Sequence, residues 1–208
     1  MNTIINTASA PKATLLLAHG AGAGIHTHFM TALAEGICRF NITVIRFEFP
    51  YMTKARTLGK KHAPNGSATL EKAYRAQIQT AFGPSPLFIG GKSMGGRIAS
   101  QIADLQPVRG CICLGYPFHP PRNPSKLRTA HLQQIQTPVC ILQGTRDPFG
   151  TREEVLEYSL SPNIQLHFLE YGNHSFETRK KDPIRTDELL QQGSQIAAAF
   201  ILETLQST

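Results

Sequence analysis

No stretch of the 208-residue chain approaches the roughly 20 consecutive apolar residues that a membrane-spanning helix requires. Residues 1–7 also lack the basic start and the long apolar run of a secretory signal peptide. We therefore expect a cytoplasmic protein that has no membrane partner. Because 41% of its residues are hydrophobic, a chain of this length can bury one sizeable core.

Cysteine is scarce, and its spacing excludes the usual metal and redox motifs. Cys38, Cys111, Cys113 and Cys140 all fall inside apolar segments. Cys111 and Cys113 would lie along one strand, and no second pair follows, so neither a zinc knuckle nor a C-x-x-C redox site is present. We interpret all four as buried thiols in a reducing compartment.

The absence of glycine from two positions excludes the common nucleotide-binding motifs. The run Gly91-Lys92-Ser93 looks like the end of a phosphate-binding P-loop, but that motif requires glycine at position 86, which is a proline. The glycine-rich run that begins at Gly20 would need glycine at position 25, which is an isoleucine. His26 and His28 have no third metal ligand nearby. We therefore expect no cofactor and no metal.

Acidic residues are outnumbered by basic ones, 14 to 21, which gives a net charge of +7. No acidic residue occurs from position 49 to 70. This stretch includes a predicted loop over residues 50–66, which contains Lys54, Arg56, Lys60 and Lys61. The basic residues lack the interleaved aromatic side chains and motif spacings of nucleic-acid-binding proteins, so we expect no nucleic-acid partner. Two interpretations stay open. The loop is either a solvated surface or a rim that attracts an anionic substrate through Lys54 and Arg56.

Strand-like apolar runs alternate with helical patterns along the chain. Helices are indicated by an apolar face from Phe29 to Phe40, by Ser67 as the N-cap of a helix through Phe82, and by a capping box of Thr151 and Glu154. A short helix over 126–135 and a closing amphipathic helix over 187–205 complete the set. The predicted strands cover residues 13–18, 42–47, 87–90, 108–114, 139–142 and 164–169.

This alternation predicts an α/β fold in a single domain over residues 1–208. Most of the strands are continuous apolar runs, so we expect a mostly parallel sheet of about six strands with helices on both faces. Residues 1–11 precede the first strand and are expected to form a flexible or edge segment.

The most informative motif is Gly91-Lys92-Ser93-Met94-Gly95, which matches the G-x-S-x-G pattern of a nucleophile elbow. An apolar strand comes before it, and an amphipathic helix with Ile98, Ile102 and Leu105 on one face comes after it. A strand that turns directly into a helix strains the backbone of the central residue, and the flanking glycines remove Cβ atoms that would clash. The motif therefore predicts that Ser93 is a catalytic nucleophile.

Two further reactive residues follow predicted strands. Asp147 comes after the strand that starts at position 139, and His174 comes after the strand that starts at position 164. Ligands bind at the carboxyl ends of strands in such sheets. The order Ser93, Asp147, His174 is that of an α/β-hydrolase triad. We therefore expect Ser93 to attack an acyl carbonyl, His174 to act as base, and Asp147 to orient the imidazole.

The oxyanion of the reaction would need two backbone N–H donors. One is predicted at Met94, directly after the nucleophile, and the other in the loop after the first strand, where we favour Ala21 and place Gly22 second. His19 in the same loop is interpreted as a structural residue that closes the loop.

Several blocks of the sequence resemble a small α/β-hydrolase family. They are His19-Gly-Ala-Gly-Ala-Gly24, Arg46-Phe-Glu-Phe-Pro-Tyr51, Gly90-Gly-Lys-Ser-Met-Gly-Gly-Arg97, Gly115-Tyr-Pro-Phe-His-Pro-Pro121 and Gln143-Gly-Thr-Arg-Asp-Pro148. That family is related to the dienelactone hydrolases and to the hydrolase-like subunit of the non-specific-lethal histone-acetyltransferase complex. The resemblance covers about residues 13–205 and implies a compact hydrolase with a triad on Ser93, Asp147 and His174. Dienelactone hydrolases proper carry a cysteine nucleophile, so the resemblance does not imply lactone specificity for this chain.

We expect a serine hydrolase that cleaves a small ester or thioester through an acyl-enzyme. The segment between the strands at 108–114 and 139–142 is too short for the helical cap of a lipase, so residues 50–66 and a segment with Tyr116 and Phe118 would form the substrate-binding walls. The expected partner is a small acyl substrate, and the protein a monomer or homodimer. The alternative is a non-catalytic interaction module, because some relatives look like binding proteins.

Overall fold

The computed structural model describes residues 2–81 and 83–207. Its centre is a seven-stranded sheet in the order β1-β3-β2-β4-β5-β6-β7. Six strands run parallel, and β1 pairs antiparallel with β3 at one edge. The strands are β1 Thr3–Asn6, β2 Ala13–Ala18, β3 Ile42–Phe47, β4 Leu87–Lys92, β5 Gly110–Leu114, β6 Val139–Gly144 and β7 Ile164–Leu169.

Helices cover both faces of the sheet, which confirms the predicted α/β architecture. One face packs against α1 and α6, and the other packs mainly against α3 and α4. No helix of the described ranges is long and apolar enough to cross a membrane. The helices are α1 His28–Cys38, α2 Pro50–Leu58, α3 Ser67–Ala81, α4 Met94–Ile102, α5 Arg152–Leu156 and α6 Thr186–Gln206.

The helix α1 begins and packs as its sequence dictates. The side chain of Thr27 accepts a hydrogen bond from the Met30 N–H and caps the first turn. Met30, Leu33 and Ile37 recur on one buried face. Phe40 lies beyond the end of the helix and is partly exposed, so it does not extend this face as predicted.

The close approach of α1 to α6 depends on a glycine. A Cβ atom at Gly36 in α1 would lie 2.3 Å from the side-chain oxygen of Ser194 in α6. The backbone of α1 therefore packs directly against the Ser194 side chain of α6, and the two helices together cover one face of the sheet.

The structure corrects the predicted loop over residues 50–66, because its first half is the helix α2. Pro50 occupies the first turn, where its missing N–H costs nothing, and Gly59 ends the helix in a left-handed conformation with φ of 62°. The basic residues of this segment therefore lie along a helix.

The bounds of two other predicted helices also differ from those in the structure. Ser67 is the first helical residue of α3 rather than its N-cap, since the carbonyl of Gly66 accepts the hydrogen bond from the Leu70 N–H. The predicted end of this helix at Phe82 lies outside the described residues. The expected helix over 126–135 is only a 3-10 turn, Ala130–Gln133. The capping box of Thr151 and Glu154 at the start of α5 is confirmed.

Candidate active site

Ser93 stands in the sharp turn that joins β4 to α4. Its φ of 51° and ψ of −114° lie outside the regions that non-glycine residues normally occupy. Its N–H donates to the carbonyl of Leu114 in β5, and its carbonyl accepts from the Arg97 N–H in α4. These two hydrogen bonds hold the strained residue in place, so its hydroxyl stands above the carboxyl end of the sheet.

The two glycines of the motif are required by close backbone contacts. A Cβ atom at Gly91 would lie 2.6 Å from the carbonyl oxygen of Ala18, and one at Gly95 would lie 2.6 Å from that of His19. Real Cβ atoms do not approach backbone oxygens this closely. The turn is therefore packed directly against the end of β2, as the pattern predicts.

The side chains of Ser93, His174 and Asp147 form a continuous hydrogen-bonded chain. The Nε2 atom of His174 lies 2.9 Å from the Oγ atom of Ser93. On the other side of the ring, Nδ1 lies 2.7 Å from the Oδ2 atom of Asp147. With Nδ1–H donating to the carboxylate, Nε2 is left free to accept the serine proton. Asp147 is fully buried, whereas His174 is 19% exposed.

The carboxylate of Asp147 is held by Gln143, a residue that the sequence analysis missed. The side-chain amide of Gln143 is buried and donates to the Oδ2 atom of Asp147 at 2.9 Å. The N–H of Phe149 donates to the other carboxylate oxygen at 2.9 Å. The signal in the sequence is a glutamine that directly follows the apolar run of β6.

His174 is enclosed by neighbours of different chemistry. The ring of Phe149 lies against the imidazole with a centroid distance of 4.2 Å. Lys92 donates a hydrogen bond from Nζ to the backbone carbonyl of His174. Burial lowers the pKa of His174 below its usual value, the hydrogen bond to Asp147 opposes this shift, and the positive charge of Lys92 adds to it. His174 therefore favours the neutral form that can accept a proton.

A cavity of about 490 Å³ opens beside the hydroxyl of Ser93. Its walls come from the loop after β2, the start of α1, the His174 loop and the start of α6. Apolar side chains dominate the lining, chiefly Ala21, Ala23, Phe29, Met30, Phe149 and Leu190.

The loop after β2 is braced by buried side chains. The Nε2 atom of His19 accepts from the Phe49 N–H at 3.0 Å, and its Nδ1 donates to the carbonyl of Gly20 at 2.6 Å. The hydroxyl of Tyr51 donates to the carbonyl of Ala21 at 2.9 Å. These contacts match the structural interpretation of His19. Burial lowers the pKa of His19, which keeps it neutral and able to accept the Phe49 hydrogen bond.

Ala21 and Gly22 both line the cavity next to Ser93. Met94 is the first residue of α4, where the N–H groups of a helix lack partners within the helix. Ala21 and Gly22 thus border the cavity beside Ser93, and Met94 directly follows Ser93 in the chain. Their function as oxyanion donors stays a prediction.

The four residues predicted to bind substrate lie elsewhere. Tyr116 and Phe118 are completely buried, and the Tyr116 hydroxyl donates to the backbone carbonyl of Arg128 at 2.8 Å. Lys54 and Arg56 lie on α2 outside the cavity lining, and Arg56 is paired at 3.2 Å with the buried carboxylate of Glu48. These four residues therefore do not line the cavity, whose walls are the apolar side chains described above.

Comparison with known proteins bears on the fold and the family. A family model described as an alpha/beta hydrolase domain matches residues 11–202. An alpha-beta serine hydrolase homologue from Coxiella burnetii is 17% identical, with a TM-score of 0.72 over 95% of this chain and 89% of that one. A dienelactone hydrolase from Anabaena variabilis is 18% identical, with a TM-score of 0.70 over 97% and 90%.

A third similar structure is an α/β serine hydrolase without a lid from Xanthomonas campestris. It is 15% identical, with a TM-score of 0.66 over 94% of this chain and 88% of that one. At such low identities these structures speak for the fold alone. The expected α/β-hydrolase fold is confirmed by the family match and the shared architecture.

Proposed function

The chain belongs to the alpha/beta hydrolase domain family, and on that premise we propose that it is a serine hydrolase acting on a small carboxylic ester or thioester. Ser93 is the nucleophile, His174 the base and Asp147 the orienting acid. The observation that carries the proposal is the pair of hydrogen bonds, 2.9 Å and 2.7 Å long, that joins Oγ of Ser93 through the imidazole to the carboxylate of Asp147.

The first half of the reaction forms an acyl-enzyme. As Oγ of Ser93 bonds to the acyl carbon, its proton passes to Nε2 of His174, and the carbonyl oxygen becomes negatively charged. The N–H groups of Met94 and of Ala21 or Gly22 stabilise that oxygen, each contributing about 3 kcal/mol. When the tetrahedral intermediate collapses, the bond to the leaving group breaks and the leaving oxygen or sulfur takes the proton from His174.

The second half releases the acid. A water molecule attacks the acyl carbon while its proton passes to His174, and the bond between that carbon and Ser93 Oγ breaks as the serine recovers a proton. Asp147 stabilises the imidazolium in both halves. The fixed Nδ1–H···O hydrogen bond means that the ring does not need to reorient between them.

The lining of the cavity supports an apolar acyl group. Phe29, Met30, Phe149 and Leu190 surround the space next to Ser93. Between the end of β5 and the start of β6, a segment that the structure describes throughout, the only helical element is the 3-10 turn Ala130–Gln133, so this segment contributes no helical cap. A short acyl chain fits this open cavity better than a long lipid.

The backbone of Ser93 supports catalysis over a purely binding role. A non-glycine residue in such a conformation costs on the order of 1–3 kcal/mol. A binding module gains nothing from this strain, whereas a nucleophile gains an exposed hydroxyl at the start of a helix. The strained backbone of Ser93 therefore favours the enzyme over the interaction module.

A panel of p-nitrophenyl esters and acyl-CoA thioesters of different length and charge tests the proposal. We expect hydrolysis by the wild-type protein and a loss of about a million-fold in kcat for Ser93→Ala. Ser175→Ala is the matched control, because Ser175 also lines the cavity but forms no part of the hydrogen-bonded chain. A loss of less than about tenfold for Ser93→Ala would reject the proposal.

A further inference from the structure

Lys92, the residue directly before the nucleophile, is a lysine in an unusual place. It is the last residue of β4, and only 8% of it is exposed. Its side chain passes beneath Gly20, where an added Cβ atom would lie 3.3 Å from the Cγ atom of the lysine. It also contributes to the lining of the cavity next to Ser93. Lysine is almost never buried in this way unless the fold provides for its charge.

The ammonium group is bound to the loop that carries His174. Its Nζ donates to the backbone carbonyl of His174, which is 82 residues away in the sequence. The same atom lies 4.9 Å from the ring centroid of Phe29 and 5.8 Å from that of Phe176, so two aromatic rings partly replace its hydration. Lys92 thus connects β4, α1 and the His174 loop.

A glycine directly after β5 makes room for this contact. Gly115 has φ of 64°, and a Cβ atom there would lie 2.8 Å from Nζ of Lys92 and 2.7 Å from the carbonyl oxygen of His174. Any larger residue at this position would separate the donor from its acceptor. The contact is therefore built by three separate parts of the chain.

The charges around Lys92 are sparse. Among the described residues, no carboxylate lies within ion-pair distance of its Nζ. Burial lowers the pKa of Lys92 to about 7, while the negative charges of Asp147 and Glu177 act in the opposite direction. At the lower pH values where His174 titrates, Lys92 is therefore largely protonated, and its charge disfavours protonation of the imidazole.

We infer that Lys92 is a positioning residue for His174. Its ammonium group fixes the main chain of the histidine so that Nε2 meets Ser93, and its charge keeps the imidazole in the neutral form that accepts the serine proton. The expected effect of Lys92 on catalysis rests on the proposed function. The effect on the histidine itself can be measured without any turnover.

The test compares Lys92→Met and Lys92→Gln with the wild-type protein, and Lys72→Met is the matched control. Lys72 is an exposed lysine on α3, so the control removes the same charge far from the cavity. The first readout is the NMR titration of the His174 ring. We expect a midpoint below 6.5 in the wild-type protein and in the control, and a higher midpoint in both neutral variants at position 92.

The second readout is steady-state kinetics on the best ester of the panel. We expect the neutral variants at position 92 to lose about 100-fold in kcat with little change in KM, because a displaced histidine affects the chemical step more than binding. The acid limb of kcat/KM should move to higher pH by the same amount as the NMR midpoint. If Lys92 only filled space, its replacement would change neither the His174 midpoint nor the acid limb of kcat/KM.

The outcomes separate the two proposals. If the wild-type protein cleaves no ester but the His174 midpoint rises in the variants, the positioning role stands and the proposed function fails. An unchanged midpoint in a folded variant overturns the inference. Should neither variant fold, the wild-type protein decides the question: the NMR resonance of the His174 carbonyl carbon should shift as Lys92 loses its proton near pH 7, and a carbonyl that does not respond overturns the inference.

Discussion

The side-chain amide of Gln143 lies 2.9 Å from the carboxylate of Asp147 and also donates to the carbonyl of Tyr116 at 3.2 Å. Its oxygen accepts a hydrogen bond of 2.8 Å from the Tyr116 N–H. One fully buried amide thus connects β6, the loop after β5 and the carboxylate that orients His174. The carbonyl of Gly150 is a third acceptor for the same nitrogen at 3.0 Å, so one of its two N–H groups is shared between two acceptors.

Replacing this amide should affect both stability and activity. Gln143→Leu leaves the buried Tyr116 N–H without its partner and removes one of the two hydrogen bonds to Oδ2 of Asp147, so we expect the free energy of unfolding to fall by about 3 kcal/mol. We also expect kcat to fall by at least about tenfold, since Asp147 is held less firmly in place. Urea unfolding and ester hydrolysis measure the two effects. Gln79→Leu, on the exposed side of α3, should change stability by less than about 0.5 kcal/mol.

The elbow glycines give a second prediction. Gly95→Ala would place a Cβ atom 2.6 Å from the backbone oxygen of His19, so the end of β2 or the start of α4 must shift. We expect thermal unfolding to reveal a loss of more than about 3 kcal/mol. Gly22→Ala is the control, because nothing lies within 4 Å of its added Cβ atom. Equal stability of the two variants would contradict the close packing described for the elbow.

A histidine far from the cavity predicts how stability depends on pH. Burial, together with the charge of Arg97, lowers the pKa of His131 to about 4, and its Nε2 pairs with the Ser100 hydroxyl at 2.9 Å. In the unfolded chain the same group titrates near 6.5, so between pH 6.5 and about 4 the unfolded state binds more protons. Stability must therefore fall as the pH drops through this window.

The variant His131→Gln isolates this contribution. It should lose less stability than the wild-type protein over the same pH window, because glutamine does not titrate there. Denaturant unfolding of both proteins at the two ends of the window provides the comparison. Since His19 and His174 also have lowered pKa values, both proteins keep some slope. Identical slopes would show that His131 contributes nothing to it.

Much of the fold could be predicted from the sequence because most of its strands are short apolar runs, which in β2, β3 and β7 are interrupted only by single polar residues. The predicted bounds of β2, β3 and β7 agree with the structure. Ser93, Asp147 and His174 converge because the carboxyl ends of parallel strands meet at one edge of the sheet. Their catalytic roles stay a prediction until they are tested by mutation.

What the sequence could not predict depends on neighbours that are distant in the chain. The roles of Gln143 and Lys92 follow from contacts with other strands, and no local pattern specifies those contacts. Tyr116 and Phe118 were predicted to line the pocket because the segment between two strands is too short for a helical cap, but their rings lie in the core. The helix α2 was missed although Pro50 and Gly59 mark its two ends.

Reaction with a fluorophosphonate probe, followed by peptide mass spectrometry, determines whether His174 activates Ser93. We expect a stoichiometric adduct on Ser93 in the folded wild-type protein, much slower labelling in His174→Ala and no adduct in Ser93→Ala. An unmodified Ser93 in the folded wild-type protein, or labelling that is equally fast without the His174 imidazole, would contradict the activation of Ser93 by His174.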